Sequence, residues 1–213
     1  MCRYTKETMA SVRFPISSSA YTTWIYWWNS MELSTMSIRY VIDDVLPPHI
    51  YLQLENIITG QQIEWFLKIG TASNQQTNSG DWRFITHVYK QGQPPDKKYP
   101  YFSPIFDFIS PKALLGSKLN CDICTQTPQQ RPWHTDQNYH TESTFTSIMY
   151  FNDCNGKTIF KDDVTVESKR NRMLIFNSEY EHAGITQTDE PRRYVLNTNF
   201  FADPKTIPTG KSI

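Results

Sequence analysis

The sequence predicts a mainly β domain of the double-stranded β-helix, or jelly-roll, class with N-terminal supporting helices, and three observations predict it. From residue 118 onward the chain breaks into eight short strand-like runs, roughly 118–125, 131–135, 144–152, 157–161, 163–168, 172–177, 181–187 and 192–201. Turn signals such as Asn152-Asp153-Cys154-Asn155-Gly156 and Thr188-Asp189-Glu190-Pro191 separate them. Helical spacing is confined to the earlier half, so helices buttress the strands instead of alternating with them. A chain of 213 residues is long enough for one such domain with a sizeable core, and six Trp, twelve Tyr and twelve Phe supply it.

Composition narrows the function classes. Lys and Arg together number 21, as do Asp and Glu. This balance gives no strong nucleic-acid signal, although a local basic patch stays open. Cys2, Cys121, Cys124 and Cys154 form no disulfide framework, which points to a reducing, cytoplasmic setting. No apolar run reaches the roughly 18 residues of a membrane-spanning helix.

Taken in order, residues 1–35 form an uncertain N-terminal arm. It is Ser/Thr-rich around the aromatic knot Tyr21-Thr22-Thr23-Trp24-Ile25-Tyr26-Trp27-Trp28, with neither helical nor strand period. It lacks the cleavage pattern of a signal peptide. Two readings stand side by side: a poorly ordered or non-native extension, with Met31 or Met36 as an internal start, and an ordered arm packed on the domain. Residues 36–213 are the single folded domain. Ile38–Ile42 reads as a strand, and Leu46-Pro47-Pro48 opens a helix with Ile50, Leu52, Leu54, Ile57 and Ile58 as its apolar face and Gly60 as its stop. Two polar loops, 70–80 and 91–100, are candidate lids or plain solvated connections. Tyr101 to Leu115 reads as a short helix or two. In the first of the eight strands Cys121 and Cys124 point to opposite faces, so they are structural cysteines and not a ligand pair.

The chemistry concentrates in Trp133-His134-Thr135-Asp136 and Glu181-His182-Ala183-Gly184. In extended chain, positions i and i+2 share a face, so His134 and Asp136 can close on one metal ion, with His182 as the third ligand. Two His and one carboxylate leave adjacent octahedral positions open, the arrangement of non-heme Fe(II) oxygenases. The same residues also admit a loop hydrogen-bond pair and an ordinary half-buried histidine.

Behind these residues the parts come in a set order: Arg131-Pro-Trp-His-Thr-Asp136, Thr146-Ser-Ile-Met-Tyr-Phe-Asn152, Asn155-Gly-Lys-Thr-Ile-Phe160, Arg172-Met-Leu-Ile-Phe-Asn177, Glu181-His-Ala-Gly184 and Arg192-Arg-Tyr194. This order resembles the Fe(II)- and 2-oxoglutarate-dependent dioxygenases, and within them the prolyl 4-hydroxylase type, including the small bacterial and phage versions. The resemblance implies a jelly roll in which His134, Asp136 and His182 ligate Fe(II). It implies that Arg193, with Arg192 as fallback, pairs with the distal carboxylate of 2-oxoglutarate, aided by Tyr150 and Thr158. Arg193 would share its strand face with Val195, Asn197 and Asn199. Where those relatives carry a Tyr on the first strand, this chain has Cys124 and Thr125. The implied activity is hydroxylation of a peptidyl, prolyl included, or small-molecule C–H bond with O2, ascorbate being an optional further cofactor. The competing class is a non-catalytic jelly-roll binding or structural protein whose metal site is vestigial or takes another ion. The sequence does not specify the oligomeric state.

Overall fold

A computed structural model describes residues 38–69, 82–136 and 143–213. The N-terminal arm and the polar loop 70–80 lie outside them. The chain divides after Met36, and everything below belongs to the unit Ser37–Ile213.

Strands β1 (Arg39–Ile42), β2 (Phe66–Ile69), β3 (Trp82–Lys90), β4 (Ala113–Ile123), β5 (Thr144–Tyr150), β8 (Arg172–Asn177), β10 (Arg192–Phe201) and β11 (Lys211–Ser212) form one antiparallel sheet. Their spatial order is β11-β1-β8-β5-β10-β4-β3-β2. A second sheet runs β7 (Thr165–Ser168), β6 (Cys154–Phe160), β9 (His182–Ile185). Helices α1 (Pro48–Thr59) and α2 (Tyr99–Ile109) precede most of the strands.

Strand alternation sorts the core into two layers. One face of the large sheet, with Leu119, Cys121, Met173, Ile175, Leu196 and Phe200, packs with Tyr51, Leu54 and Ile58 of α1 and Phe102, Ile105 and Ile109 of α2. Phe102, Phe145 and Phe200 are fully buried there, each worth about 1.5–3 kcal/mol. The opposite face holds a smaller cluster of Ile148, Tyr150, Leu174 and Val195 with Phe160 and Val166 of the small sheet. Near β4 this inner face turns polar: Lys118, Asn120 and Asp122 alternate with Leu119, Cys121 and Ile123. The helices take the apolar side, so the hydrophilic side of β4 is left to line the interior.

Several expected boundaries move. The helix expected over 101–115 ends at Ile109, because Ser110 turns left-handed at φ 46° and Pro111 disfavours helix in the residue before it. The chain then enters β4 at Ala113, five residues earlier than alternation predicts, held by pairing with β10 out to Phe201. Residues 131–135 are not a strand. Two isolated bridges, Gln130 to Ile185 and His134 to His182, hold this segment on β9, and Pro132 has no N–H to extend them into a ladder. β2, β3 and β11 were not among the eight expected strands. Helix α1 does start on Pro48 and stop at Gly60, whose N–H bonds to Asn56 O.

Candidate metal centre

The two-residue spacing and the β9 bridge converge on one point. His182 is the first residue of β9, and His134 faces it through reciprocal backbone hydrogen bonds of 3.1 and 3.0 Å. Their rings lie 4.6 Å apart. Nε2 of His134 is 3.6 Å from Asp136 Oδ1, and Nε2 of His182 is 3.6 Å from Asp136 Oδ2. The three donor atoms all lie within 4.8 Å of one another.

Orientation of the rings is set from behind. Nδ1 of His134 lies 3.1 Å from Pro132 O, and Nδ1 of His182 lies 3.1 Å from Tyr180 O. A carbonyl only accepts, so each Nδ1 donates its proton and each Nε2 turns a lone pair inward. Burial holds the His182 pKa below its usual value against the pull of Asp136, which keeps the ring neutral. For Asp136, burial works against ionisation, but attraction to an imidazole in its protonated form, His182 foremost, and a 2.8 Å hydrogen bond from Asn197 Nδ2 hold the carboxyl below the ordinary range. Two Nε2 donors and one carboxylate on one side of a point suit an octahedral divalent cation with open positions.

Beside this set lies a cationic niche between the sheets. Arg193 of β10 is 3% exposed, its guanidinium 5.5 Å over the Tyr150 ring. The Tyr150 hydroxyl donates to Thr158 Oγ1 at 2.8 Å, and burial raises its pKa. Nη1 of Arg193 reaches Asp122 Oδ2 only at 3.5 Å, and its buried Nε has no hydrogen-bond partner among the described residues. Asp122 is engaged more closely by Arg131, whose Nη2 donates to Oδ1 at 2.6 Å. Burial, with the Arg193 charge, lowers the Arg131 pKa to about 10. Asp122 thus neutralises Arg131 first and leaves Arg193 a buried cation with donor capacity to spare. That condition is costly unless an anion completes it.

All six residues singled out from the sequence, His134, Asp136, His182, Arg193, Tyr150 and Thr158, meet in this region. Arg192 does not: it is exposed and bonds the Tyr194 hydroxyl at 3.2 Å. Sequence reasoning missed Asp122 and Arg131 as site residues, because no periodicity links a mid-strand aspartate to an arginine in a later loop. The alternating polar positions of β4 were the available signal.

Residues 122–201 match the family described as the 2OG-Fe(II) oxygenase superfamily. No curated protein matches the chain. Among solved structures, a prolyl hydroxylase from Trichoplax adhaerens, in complex with a hypoxia inducible factor oxygen degradation domain peptide fragment, aligns at TM-score 0.56 and 17% identity, covering 86% of this chain and 94% of that one. A prolyl-4-hydroxylase from Pseudomonas putida aligns at TM-score 0.50 and 10% identity, covering 82% and 98%. The non-heme alpha-ketoglutarate-dependent epimerase SnoN from nogalamycin biosynthesis aligns at 0.53 and 11%, covering 87% and 96%. At these identities the shared property is the jelly-roll fold.

Proposed function

We propose that this chain, whose residues 122–201 belong to the 2OG-Fe(II) oxygenase superfamily, is an Fe(II)- and 2-oxoglutarate-dependent dioxygenase. Its reaction is hydroxylation of a C–H bond in a peptidyl, prolyl included, or small-molecule substrate. The observation that carries this reading is the pairing of an inward-facing His134, Asp136, His182 set with the buried Arg193, whose Nε is without a partner among the described residues. The superfamily uses Fe(II), 2-oxoglutarate and O2. Bound Fe(II) supplies the oxidative chemistry that turns substrate, 2-oxoglutarate and O2 into hydroxylated product, succinate and CO2.

The protein's share is holding and orienting. His134 and His182 offer Nε2 because backbone carbonyls fix the opposite ring nitrogens, and Asn197 restrains the Asp136 carboxylate. Arg193 donates to the distal carboxylate of 2-oxoglutarate, a contact suited to a planar guanidinium. Tyr150 and Thr158, already joined, offer hydroxyls to the same group. Tyr150 is fully buried and His182 nearly so, which keeps bulk water from that end of the site.

Anaerobic titration of the full chain with Fe(II) and 2-oxoglutarate tests the reading. A weak visible charge-transfer band is expected only when both are present. It should be lost in Arg193→Ala and His182→Ala, and Asp136→Ala should abolish 2-oxoglutarate turnover. A folded, iron-loaded protein without that band would return the chain to the binding or structural class.

A further inference from the structure

The inner face of the large sheet continues past the metal centre. Asn197, which holds Asp136, is the cross-strand partner of Lys118 on β4, and Lys118 is the partner of His87 on β3. On the same parity of β3, Arg83 pairs with Lys68 and Ile85 with Phe66 on β2. Lys118, His87, Arg83 and Lys68 therefore lie on the face that carries Asn197 and Asp122. Arg83 lines the metal-centre niche itself, while His87, the cross-strand partner of Lys118, lines a separate cavity of about 410 Å³ with Phe66, Ile85 and Tyr89.

Among the described residues, and leaving Arg83 aside, the charges on this shelf are unbalanced. Among the described residues, Lys68 and Lys118 have no carboxylate at ion-pair distance. The neighbouring carboxylates are engaged: Glu64 by Lys97 at 3.0 Å, Asp96 by Lys98 at 2.7 Å, Asp122 by Arg131 at 2.6 Å. Asp136 lies with the two imidazoles. The crowding is felt at Lys68, Lys118 and His87. Burial lowers the Lys118 pKa, with Arg83 and Lys68 adding to the effect against the pull of Asp136. Burial, then the surrounding Lys side chains, press His87 down to about 4. Arg193 already answers to the cosubstrate in the reading above. The shelf is a second cationic feature, on the sheet face that carries Asn197, and a ligand of opposite charge would relieve it.

We propose that the prime substrate carries an oxyanion, carboxylate or phosphate, close to the C–H bond that is oxidised, and that Lys118 binds it, with Lys68 as an outer guide. The position of the shelf fits such a ligand. Lys118 stands one strand from Asn197, about 5 Å across the sheet, so an anion on its ammonium places the rest of the substrate toward Asp136. Phe66, Ile85 and Tyr89 are apolar points in the otherwise mostly polar lining of the cavity that His87 shares, and they suit the carbon body of a polar ligand. This inference rests on the oxygenase reading for which bond is oxidised, but the anion site itself does not.

The test uses matched probes on the full chain with 2-oxoglutarate saturating, so that its own niche is filled. Isothermal titration calorimetry compares Pro-Glu with Pro-Gln, N-acetylglutamate with N-acetylglutamine, and glycerol 3-phosphate with glycerol, anaerobically, with Fe(II) and without metal. The anionic member of at least one pair should bind and its neutral mate should not; the pair that responds tells carboxylate from phosphate. Lys118→Met should weaken that binding about tenfold or more, the scale of losing a charge-assisted hydrogen bond, while Lys118→Arg should largely retain it. Unchanged melting in both variants identifies the loss as local. Equal binding of neutral and anionic probes, no anionic probe bound, or undiminished binding by Lys118→Met would overturn the proposal. Lys118-dependent binding in a protein that forms no Fe(II)–2-oxoglutarate band would sink the oxygenase reading and leave the anion site standing. A normal band with no Lys118-dependent binding would do the reverse.

Discussion

A Cβ on Gly156 would lie 2.8 Å from Cδ of Arg193 and 3.2 Å from Cβ of Gln187. The glycine is there for space: the small sheet comes close enough at this point to press the arginine against Tyr150. Only the middle of the Arg193 stem could yield, and yielding would move the guanidinium. Gly156→Val should therefore raise KM for 2-oxoglutarate about tenfold or more while the protein stays folded, measured as succinate release against cosubstrate concentration. The partnership of Asp122 with Arg131 belongs to the same scale. By occupying Arg131 at 2.6 Å and Arg193 only at 3.5 Å, one carboxylate decides which of two adjacent arginines remains for a ligand.

Among the elements, β1, α1 and the β7–β8 turn are joined by one side chain. Asn171 accepts from Leu46 N at 3.0 Å and donates to Leu46 O at 2.8 Å, while its own carbonyl accepts from Val45 N. It does so at φ 57°, where asparagine is among the few tolerated non-glycine residues. Asn171→Ala loses two buried hydrogen bonds and strains the backbone, so a loss of about 2–4 kcal/mol is expected in urea unfolding. Asn171→Gly, which keeps the backbone conformation, should cost less. The contrast between the two separates the hydrogen bonds from the turn. No spacing rule points from Asn171 to the entry of a helix more than a hundred residues earlier. The proline start of α1 and the buried Leu54 and Ile58 were legible, because both signals are local, whereas Leu52, expected on the same face, is exposed and Tyr51 is buried instead.

At the scale of the whole molecule, the proposed ligands tie the small sheet to the segment entering the large one: His182 opens β9, while His134 and Asp136 stand in the chain between β4 and β5. A cation bound there crosslinks parts that otherwise meet through isolated bridges, and it binds only the folded state. At about 100 times its dissociation constant such a cation adds about 2.7 kcal/mol. For a domain of this size that should raise the melting temperature by about 5–10 °C. The rise should be seen with Fe(II) under argon, vanish with a chelator, and be absent in His182→Ala. An equal rise in that variant would place the bound cation elsewhere.

What the sequence by itself determined is whatever depends on near neighbours along the chain. That includes the alternation of most strands, the proline start and glycine stop of α1, and the two-residue spacing that puts His134 and Asp136 together. Strand period two puts Arg192 and Arg193 on opposite faces, but only the fold, which buries Arg193 and exposes Arg192, decides which of them is inward. What only the tertiary structure decided depends on partners far apart in sequence. β4 is lengthened by its pairing with β10, and residues 131–135 become a bridged segment because Pro132 cannot ladder. The polar side of β4 turns inward because helices claim its apolar side. The asymmetric sharing of Asp122 between Arg131 and Arg193, and the row of cations leading from Asn197 to Lys68, exist only once strands distant in the chain lie about 5 Å apart. Periodicity is a property of one strand, whereas register and charge balance are properties of the sheet.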